Sequence, residues 1–404
     1  MNMKTVYQKV AVNLGKRIKE TPDARNEILL ESALNGLKAF EGDRPVCWMG
    51  FNAPAEIPLA LGYVPFYPEI APGLLASFDL SAELVEMAER KFSNLFCCSF
   101  HRCSLAAGNQ GMWPRPSAIM GISNICDGQV KLLSLLGDEF GIRPLILDVP
   151  SRIDEKGIDF LTQQIRGLVE PLEERAGQKL TDNNLLEAIR ISNRTRRALM
   201  RIDELRKIRP SPFHGPRALN SLYVLMTQLW GLPRMPEILE NMAREIEENE
   251  KTGPVNGEKF RLLSMIPPPT FKTDIYRWLE EEMGANMVMA ELTDVTWEAI
   301  DEGDPFRGLA SKLISHPYSG TIESRVAWAL KAARDYEIDG VIHFSHWGCR
   351  QSSGGVGVIR EKMDGIGVPL LNLDMDLIDP RSFSPAQVYT RIQGFIEMLT
   401  QRKE

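Results

Sequence analysis

The chain has 404 residues, 44% hydrophobic and 25% charged, a composition typical of a soluble globular protein that is long enough for two domains. Its formal net charge of −7 argues against a protein that binds nucleic acid or anionic membranes. We expect a cytoplasmic protein, because the sequence has no apolar run of transmembrane length and its N-terminal segment predicts an amphipathic helix rather than a signal peptide.

Seven short apolar segments predict the strands of parallel sheets, which are buried on both faces and rich in Val, Ile and Leu. Helical patterns such as "SAELVEMAERKFSNLF" and "RVAWALKAARDYEI" separate several of them. This alternation predicts an α/β fold. The predicted strands are 45–51, 117–124, 144–150, 261–266, 286–292, 339–346 and 368–376.

The predicted strands form two groups of similar order, each with a strand, a cysteine, a helix, a proline turn and a strand ending in aspartate. A polar, strand-free stretch separates the groups, and we interpret its arginines as a solvated face, with binding of ligand phosphates or of a partner subunit as the alternative. We therefore predict two related Rossmann-like domains with a helical segment between them. The predicted parts are an N-terminal helical segment (1–40), a first α/β domain (41–155), a helical connector (156–255) and a second α/β domain (256–404).

Cys126 and Cys349 each follow a predicted strand and precede a predicted helix. Ligands of open parallel sheets bind beyond the carboxyl ends of the strands. The positive end of a helix lowers the pKa of a thiol and favours the thiolate that soft metals and iron–sulfur clusters bind. If the two domains face each other, both cysteines point into the cleft between them.

The segment "FSNLFCCSFHRCSLAAG" supplies further candidates, because a helix is predicted to end there and to leave Cys97, Cys98 and Cys103 in one loop region. Three thiolates from three segments of the chain indicate a 4Fe-4S cluster with one iron open to substrate. The alternative for any one cysteine is core packing, which we expect for Cys103 and for Cys47 inside a strand.

Several motifs resemble the 2-hydroxyacyl-CoA dehydratase family, which also includes subunits of ATP-dependent benzoyl-CoA reductases. The resemblance extends from about residue 44 to the C-terminus. It is carried by "APAEIPLALGYVP" (53–65), "CSFHR" (98–102), "CDGQVKLL" (126–133), "LDVP" (147–150), "DGVIHFSHWGC" (339–349), "GVPLLNLDMD" (367–376) and "YTRIQGFIEML" (389–399).

This resemblance implies a subunit with a 4Fe-4S cluster between two α/β domains, and by position the ligands are Cys98, Cys126 and Cys349, with Cys97 as the alternative to Cys98. It implies an oxygen-sensitive elimination of water from an (R)-2-hydroxyacyl-CoA to the 2-enoyl-CoA through a ketyl radical. The implied partners are a homologous second subunit in a heterodimer and an ATP-hydrolysing iron–sulfur activator supplied by ferredoxin or flavodoxin. The chain itself has no P-loop sequence.

Three further residues are candidate catalytic groups. His346 and His101 lie near proposed ligands, where each donates a hydrogen bond, transfers a proton or is structural. Glu56 is either a base near the cleft or a carboxylate that stabilises the first turn of its helix.

Three other functions remain open. One is a benzoyl-CoA reductase-type subunit. Another is a nonredox cysteine enzyme with Cys349 as nucleophile and His346 as base. The third is an electron-transfer or assembly protein that holds a cluster but binds no acyl-CoA.

Overall fold

The computed structural model describes residues 2–92, 97–215, 218–252 and 257–404. In these residues eight strands form two four-stranded sheets. The strands are β1 (Val46–Met49), β2 (Val64–Phe66), β3 (Ala118–Ile122), β4 (Leu145–Leu147), β5 (Phe260–Met265), β6 (Ala285–Ala290), β7 (Gly340–His346) and β8 (Leu370–Met375).

Helices surround the sheets and fill the stretch between them. The first half of the chain contains α1 (Met3–Glu20), α2 (Ala24–Lys38), α3 (Glu56–Ala60), α4 (Pro72–Ser77), α5 (Ser81–Phe92), α6 (Ser99–Asn109) and α7 (Asp127–Asp138). The middle contains α8 (Glu155–Gly167), α9 (Val169–Ala176), α10 (Asp182–Lys207), α11 (Ala218–Val224), a π-helical turn (Leu225–Leu229) and α12 (Met235–Thr252). The last part contains α13 (Ile275–Glu281), α14 (Pro305–Ile314), α15 (Ile322–Asp335), α16 (Arg350–Ser353), α17 (Val356–Asp364), a 3₁₀ turn (Pro380–Ser382) and α18 (Pro385–Lys403).

The two sheets have the same topology. Their strand orders are β2-β1-β3-β4 and β6-β5-β7-β8, and every neighbouring pair is parallel. Each sheet is therefore ordered second, first, third, fourth, which confirms the α/β prediction and the similarity of the two halves. Each of the seven predicted segments overlaps one strand.

Strand β2 was missed by the sequence analysis. It has only three residues and contains Pro65, which argues against a strand in the interior of a sheet. The structure places β2 at the edge of its sheet, where proline is tolerated because one side of the strand needs no partner. The Pro65 carbonyl accepts a hydrogen bond from the Asn35 side chain at 2.9 Å.

The helices between the sheets connect the two halves. Helix α10 packs on α3 of the first half, and α8 packs on α14 of the second. One large hydrophobic core includes residues from both sheets and from these helices. The predicted domain boundaries stay predictions, and the boundary at 255/256 lies outside the described residues.

The arginines of α10 are divided between solvent and interior. Arg201 forms an exposed ion pair with Glu247, as expected of a solvated face. Arg206 is fully buried, and its guanidinium donates to Asp203 at 2.8 Å and to the Val288 carbonyl at 2.9 Å. For Arg206 the solvated-face prediction is wrong.

The predicted N-terminal helix is present as α1, which packs on α2. In the part of the chain that the structure describes, no helix has both the length and the apolar character needed to cross a membrane.

Candidate functional site

The three predicted cysteine ligands are each the N-cap residue of a helix. Cys98 precedes α6, Cys126 precedes α7 and Cys349 precedes α16. Cys126 and Cys349 follow the equivalent strands β3 and β7. In both sheets the connections reverse direction beside these strands, and such a switch point is where open α/β sheets bind ligands.

The three thiols, called the cysteine group below, influence one another. Burial raises the pKa of Cys98 well above its usual value, and the charges of Cys349 and Cys126 raise it further. Burial also raises the pKa of Cys349, and Cys126 adds to this effect. The three sulfur atoms therefore lie in one electrostatic environment.

The helix termini lower the pKa of Cys126 and Cys349, as expected, but burial raises it by more. The Ser352 N–H donates to the Cys349 sulfur at 3.4 Å and lowers the pKa of this thiol, yet burial raises that pKa more. Cys126 shows the same balance, with burial as the larger effect. The low-dielectric environment disfavours an unpartnered thiolate, so the net pKa of both thiols is raised although the helix termini lower it.

His346 contacts Cys98. Its Nδ1 accepts the Leu377 N–H at 3.2 Å, so in the neutral ring the proton is on Nε2. Nε2 lies 3.3 Å from the Cys98 sulfur and is thus placed to donate to it. Burial lowers the pKa of His346 to about 4, which keeps the ring neutral. Phe100 packs edge-on against the same ring at 5.5 Å.

These contacts bear on the nucleophile alternative. That hypothesis pairs His346 with Cys349 as base and nucleophile. In the structure the His346 ring is hydrogen-bonded to the Cys98 sulfur and to a backbone N–H, whereas the Cys349 sulfur accepts from Ser352. The imidazole is therefore not placed as a base for Cys349.

His101 forms a buried ion pair with Glu69. Its Nε2 lies 2.9 Å from a Glu69 oxygen, and the other oxygen accepts from Gln129 at 2.8 Å. Burial lowers the pKa of His101, but hydrogen bonds with Cys97 and Glu69 outweigh it and raise the pKa to about 9. The imidazolium also lowers the pKa of Cys349.

Sequence reasoning did not find Glu69. It follows β2, the strand that was missed, and is therefore at the carboxyl end of a strand. The second half has a counterpart, Glu291, which follows β6 and accepts two hydrogen bonds from Arg325 at 2.6 and 2.8 Å. Arg325 also donates to the Gln351 carbonyl at 2.6 Å, so this pair stabilises the segment after Cys349.

The other cysteines are divided between the site and the cores. The pKa of Cys97 is lowered, chiefly by its hydrogen bond with His101. Both members of the doublet thus lie near the site, and the choice of Cys98 as a ligand stays a prediction. Cys103 is fully buried within α6, so its predicted position in a loop is wrong. Cys47 is fully buried in β1.

Glu56 begins α3 and is fully buried. Its carboxylate accepts from Lys312 at 2.6 Å and from Ser192 at 2.8 Å. Burial raises the pKa of Glu56, but Lys312 outweighs it and the net pKa is lowered. Glu56 is therefore an ionised carboxylate with a cationic partner, and its role as a base stays a prediction.

A cavity of about 720 Å³ is lined by residues of α1, α2, α4, α11 and the segment after β5. Its lining includes Phe100, which contacts His346, and Tyr223. Burial raises the pKa of Tyr223, and the nearby charges of Glu69, Cys98 and Cys349 raise it further. The adjoining π-helical turn contributes Gln228, and π turns occur frequently at functional sites. Phe100 and Tyr223 thus lie both in the lining of the cavity and in the surroundings of the cysteine group.

The two parallel-sheet halves define an α/β protein in which Cys126 and Cys349 lie at the switch points of the sheets, where proteins of this class bind ligands. The profile of the family described as 2-hydroxyglutaryl-CoA dehydratase, D-component, matches residues 50–399, and the chain belongs to this family. The resemblance predicted from the motifs is thereby confirmed, and the chain is an enzyme subunit of the dehydratase type.

Named relatives cover most of the chain. It is 27% identical to the (R)-phenyllactyl-CoA dehydratase alpha subunit of Clostridium sporogenes, over 94% of this chain and 95% of the relative. It is 26% identical to the alpha subunit of the lactoyl-CoA dehydratase of Anaerotignum propionicum, over 88% and 90%. It is also 26% identical to a benzoyl-CoA reductase subunit of Thauera aromatica, over 74% and 73%.

Proposed function

We propose that this chain is one catalytic-component subunit of a 2-hydroxyacyl-CoA dehydratase and that Cys98, Cys126 and Cys349 hold a 4Fe-4S cluster. The observation that supports this most directly is the placement of Cys126 and Cys349 as N-cap residues at the switch points of the two sheets, with the backbone of Cys98 packed against Gly348, the neighbour of Cys349. Family membership supports the reaction class.

Three thiols are the donor set that iron–sulfur clusters commonly use. Among the described residues no three His, Cys, Asp or Glu side chains converge closely enough to hold one metal ion. The thiols are near enough to raise one another's pKa, as in the effect of Cys349 on Cys98. In a cluster each thiolate binds a different iron, so the sulfur atoms need not converge on one point. Bound iron also offsets the burial that disfavours the thiolates.

A cluster bound here would supply a low-potential electron and a Lewis-acidic iron for the thioester carbonyl. The overall reaction removes the 2-hydroxyl group and one β-proton as water. The electron is returned once the 2-enoyl product has formed, so the elimination involves no net oxidation or reduction. An unactivated β-proton is too weakly acidic for acid–base catalysis alone, which is why the electron is required.

The chain's own groups then have defined tasks. Neutral His346 donates its Nε2–H to the Cys98 sulfur and orients that ligand. In this proposal the His101 imidazolium, held by Glu69, stabilises negative charge and gives a proton to the departing hydroxide. Phe100 packs edge-on against His346 and helps to exclude water from the site.

The proposal includes partners. A homologous subunit completes a heterodimer, since two of the similar proteins are named as alpha subunits. An ATP-hydrolysing iron–sulfur activator, reduced by ferredoxin or flavodoxin, supplies the electron. A benzoyl-CoA reductase-type subunit is the second candidate, favoured by the similarity to a subunit of that enzyme.

The test uses the chain purified without oxygen with its partner subunit, activator, ATP and a reductant. A 2-hydroxyacyl-CoA should yield the 2-enoyl-CoA by mass spectrometry, whereas benzoyl-CoA should be returned unchanged. Cys126→Ser and Cys349→Ser should lose bound iron, while Cys103→Ala, at a buried core position, should retain it. Dehydration without iron, or wild-type iron in both serine variants, would contradict the proposal.

A further inference from the structure

We infer that Arg325 is a positioning residue for the proposed cluster, because it holds in place the single helical turn that presents Cys349 and so fixes the direction of this ligand. The inference rests on the proposed function, since it concerns one of the proposed ligands. It adds a residue of α15, outside the three cysteine segments, to the residues that form the site.

The helix that follows Cys349 is much shorter than those that follow the other two ligands. Cys349 is the N-cap of α16, which has four residues, whereas α6 after Cys98 has 11 and α7 after Cys126 has 12. Helix formation is cooperative, and a single turn makes too few hydrogen bonds to offset the loss of conformational entropy. The direction of the Cys349 side chain therefore depends on the contacts of α16 with the rest of the fold.

Arg325 makes such a contact at the C-terminal end of α16. Its Nη1 donates to the Gln351 carbonyl at 2.6 Å and lies 3.4 Å from the Ser352 carbonyl. The last carbonyls of a helix have no partner within the helix, and a cationic side chain can satisfy them. Arg325 thus binds the end of the turn opposite to Cys349.

The guanidinium of Arg325 is itself held in one position. Its Nε and Nη2 donate to the two oxygens of Glu291 at 2.6 and 2.8 Å, and both side chains are only 3% exposed. Its Cζ lies 5.0 Å from the centre of the Tyr318 ring. The Tyr318 carbonyl in turn accepts from the Gln351 side chain at 3.2 Å, a second contact of α16 with this region. A planar guanidinium can bind a carboxylate and a carbonyl at once, so the turn has a rigid support.

Ser352 connects the supported end of the turn to the ligands. It is fully buried, and its N–H donates to the Cys349 sulfur at 3.4 Å. Its hydroxyl accepts from the His346 N–H at 3.3 Å, and the ring of His346 contacts the Cys98 sulfur. A displacement of the turn would therefore disturb two of the three thiols.

The test measures how fast a chelator removes iron from the full chain, purified without oxygen. Arg325→Met together with Glu291→Gln removes both charges of the pair, so no buried charge is left unpaired. We expect iron release to be at least about tenfold faster than in the wild type, as for the loss of a hydrogen bond from a charged donor. The EPR spectrum of the dithionite-reduced protein should also change, because the direction of the Cys349 thiolate on its iron changes.

Arg206→Met together with Asp203→Asn is the matched control. Arg206 is also fully buried, pairs with Asp203 at 2.8 Å and donates to the Val288 carbonyl at 2.9 Å, so its partners lie on α10 and β6 rather than on α16. A general loss of stability would speed iron release in both double variants alike. A positioning role affects the release rate and the EPR spectrum of the Arg325 variant alone.

Gln351→Leu is a milder variant that leaves the buried charges in place. Gln351 is half-buried, and loss of its contact with the Tyr318 carbonyl should speed iron release by about fivefold. This variant decides the question if the Arg325 double variant does not fold. Wild-type release rates, or equal acceleration in the Arg206 control, would overturn the inference and leave the cluster standing. Wild-type protein that binds no iron would instead contradict the proposed function.

Discussion

Replacing Gly348 by alanine should separate the two segments that carry Cys98 and Cys349. Gly348 has φ +76, in the left-handed region that favours glycine. A Cβ atom built on it would lie 2.8 Å from the Cys98 nitrogen and 3.0 Å from the Cys97 carbonyl carbon. Both are backbone atoms, which cannot rotate away as the end of a side chain can.

Two costs add at this position. Alanine in the left-handed region costs about 1–2 kcal/mol. Displacing the packed backbone of the cysteine doublet adds about 1–3 kcal/mol, the usual cost of overpacking. Gly111 is a matched control, because its φ is +64 and an added Cβ would meet no atom within 4 Å. Gly111→Ala should therefore be destabilised only by the strain of alanine in the left-handed region.

Urea unfolding of both variants, without oxygen, measures the difference in the free energy of unfolding. We expect Gly348→Ala to be less stable than Gly111→Ala by about 1–3 kcal/mol and to bind less iron per chain after reconstitution, because two proposed ligands are forced apart. Equal stability together with equal iron content would refute the view that close contact of these two segments forms the site.

Two further predictions concern buried ion pairs. Arg325→Met leaves Glu291 buried without its partner and should destabilise the chain by about 3–5 kcal/mol. Arg166 forms an exposed ion pair with Asp304 at 3.0 Å, so Arg166→Met should cost at most about 1 kcal/mol. Equal urea midpoints of the two variants would contradict this prediction. The pKa of His101 is raised from 6.5 to about 9 by its hydrogen bonds with Cys97 and Glu69, against the effect of burial. Because folding raises the pKa of His101, the protonated side chain stabilises the folded state by up to about 3 kcal/mol at pH values below the unfolded pKa. This stabilisation is lost as the pH rises through the folded pKa of about 9. Urea unfolding between about pH 6 and pH 10 should therefore show a larger loss of stability for the wild type than for His101→Gln. If the free energy of unfolding of both proteins changed in parallel with pH, the ion pair of His101 would not be the cause of the pH dependence.

The strands were predictable because buried parallel strands are continuous apolar runs. The segment 339–346 is an example, and β7 occupies nearly the same residues. Strand β2 was not predictable, because Pro65 is acceptable only at a sheet edge and edge position is a property of the assembled sheet. The same applies to Arg206, whose burial depends on contacts with Asp203 and with a strand of the second sheet.

Those site residues were predictable whose location follows from their position between a strand and a helix. A cysteine between a strand and a helix lies at the carboxyl edge of a parallel sheet, and this placed Cys126 and Cys349. Glu69 and Glu291 were not identified, because their importance depends on partners distant in sequence, His101 and Arg325. The thiol pKa values were also not predictable, since the effect of burial exceeds that of the helix termini only once the fold is known.

The iron content of the protein tests most directly whether the cysteine group holds a 4Fe-4S cluster. The measurement is iron and sulfide per chain, with the visible spectrum, for protein purified without oxygen beside Cys126→Ser and Cys349→Ser. We predict about four irons per wild-type chain and a broad band near ~400 nm that dithionite bleaches, as thiolate-ligated clusters show, with both lost in the two variants. Folded, iron-free wild-type protein that dehydrates its thioester in air would contradict the claim.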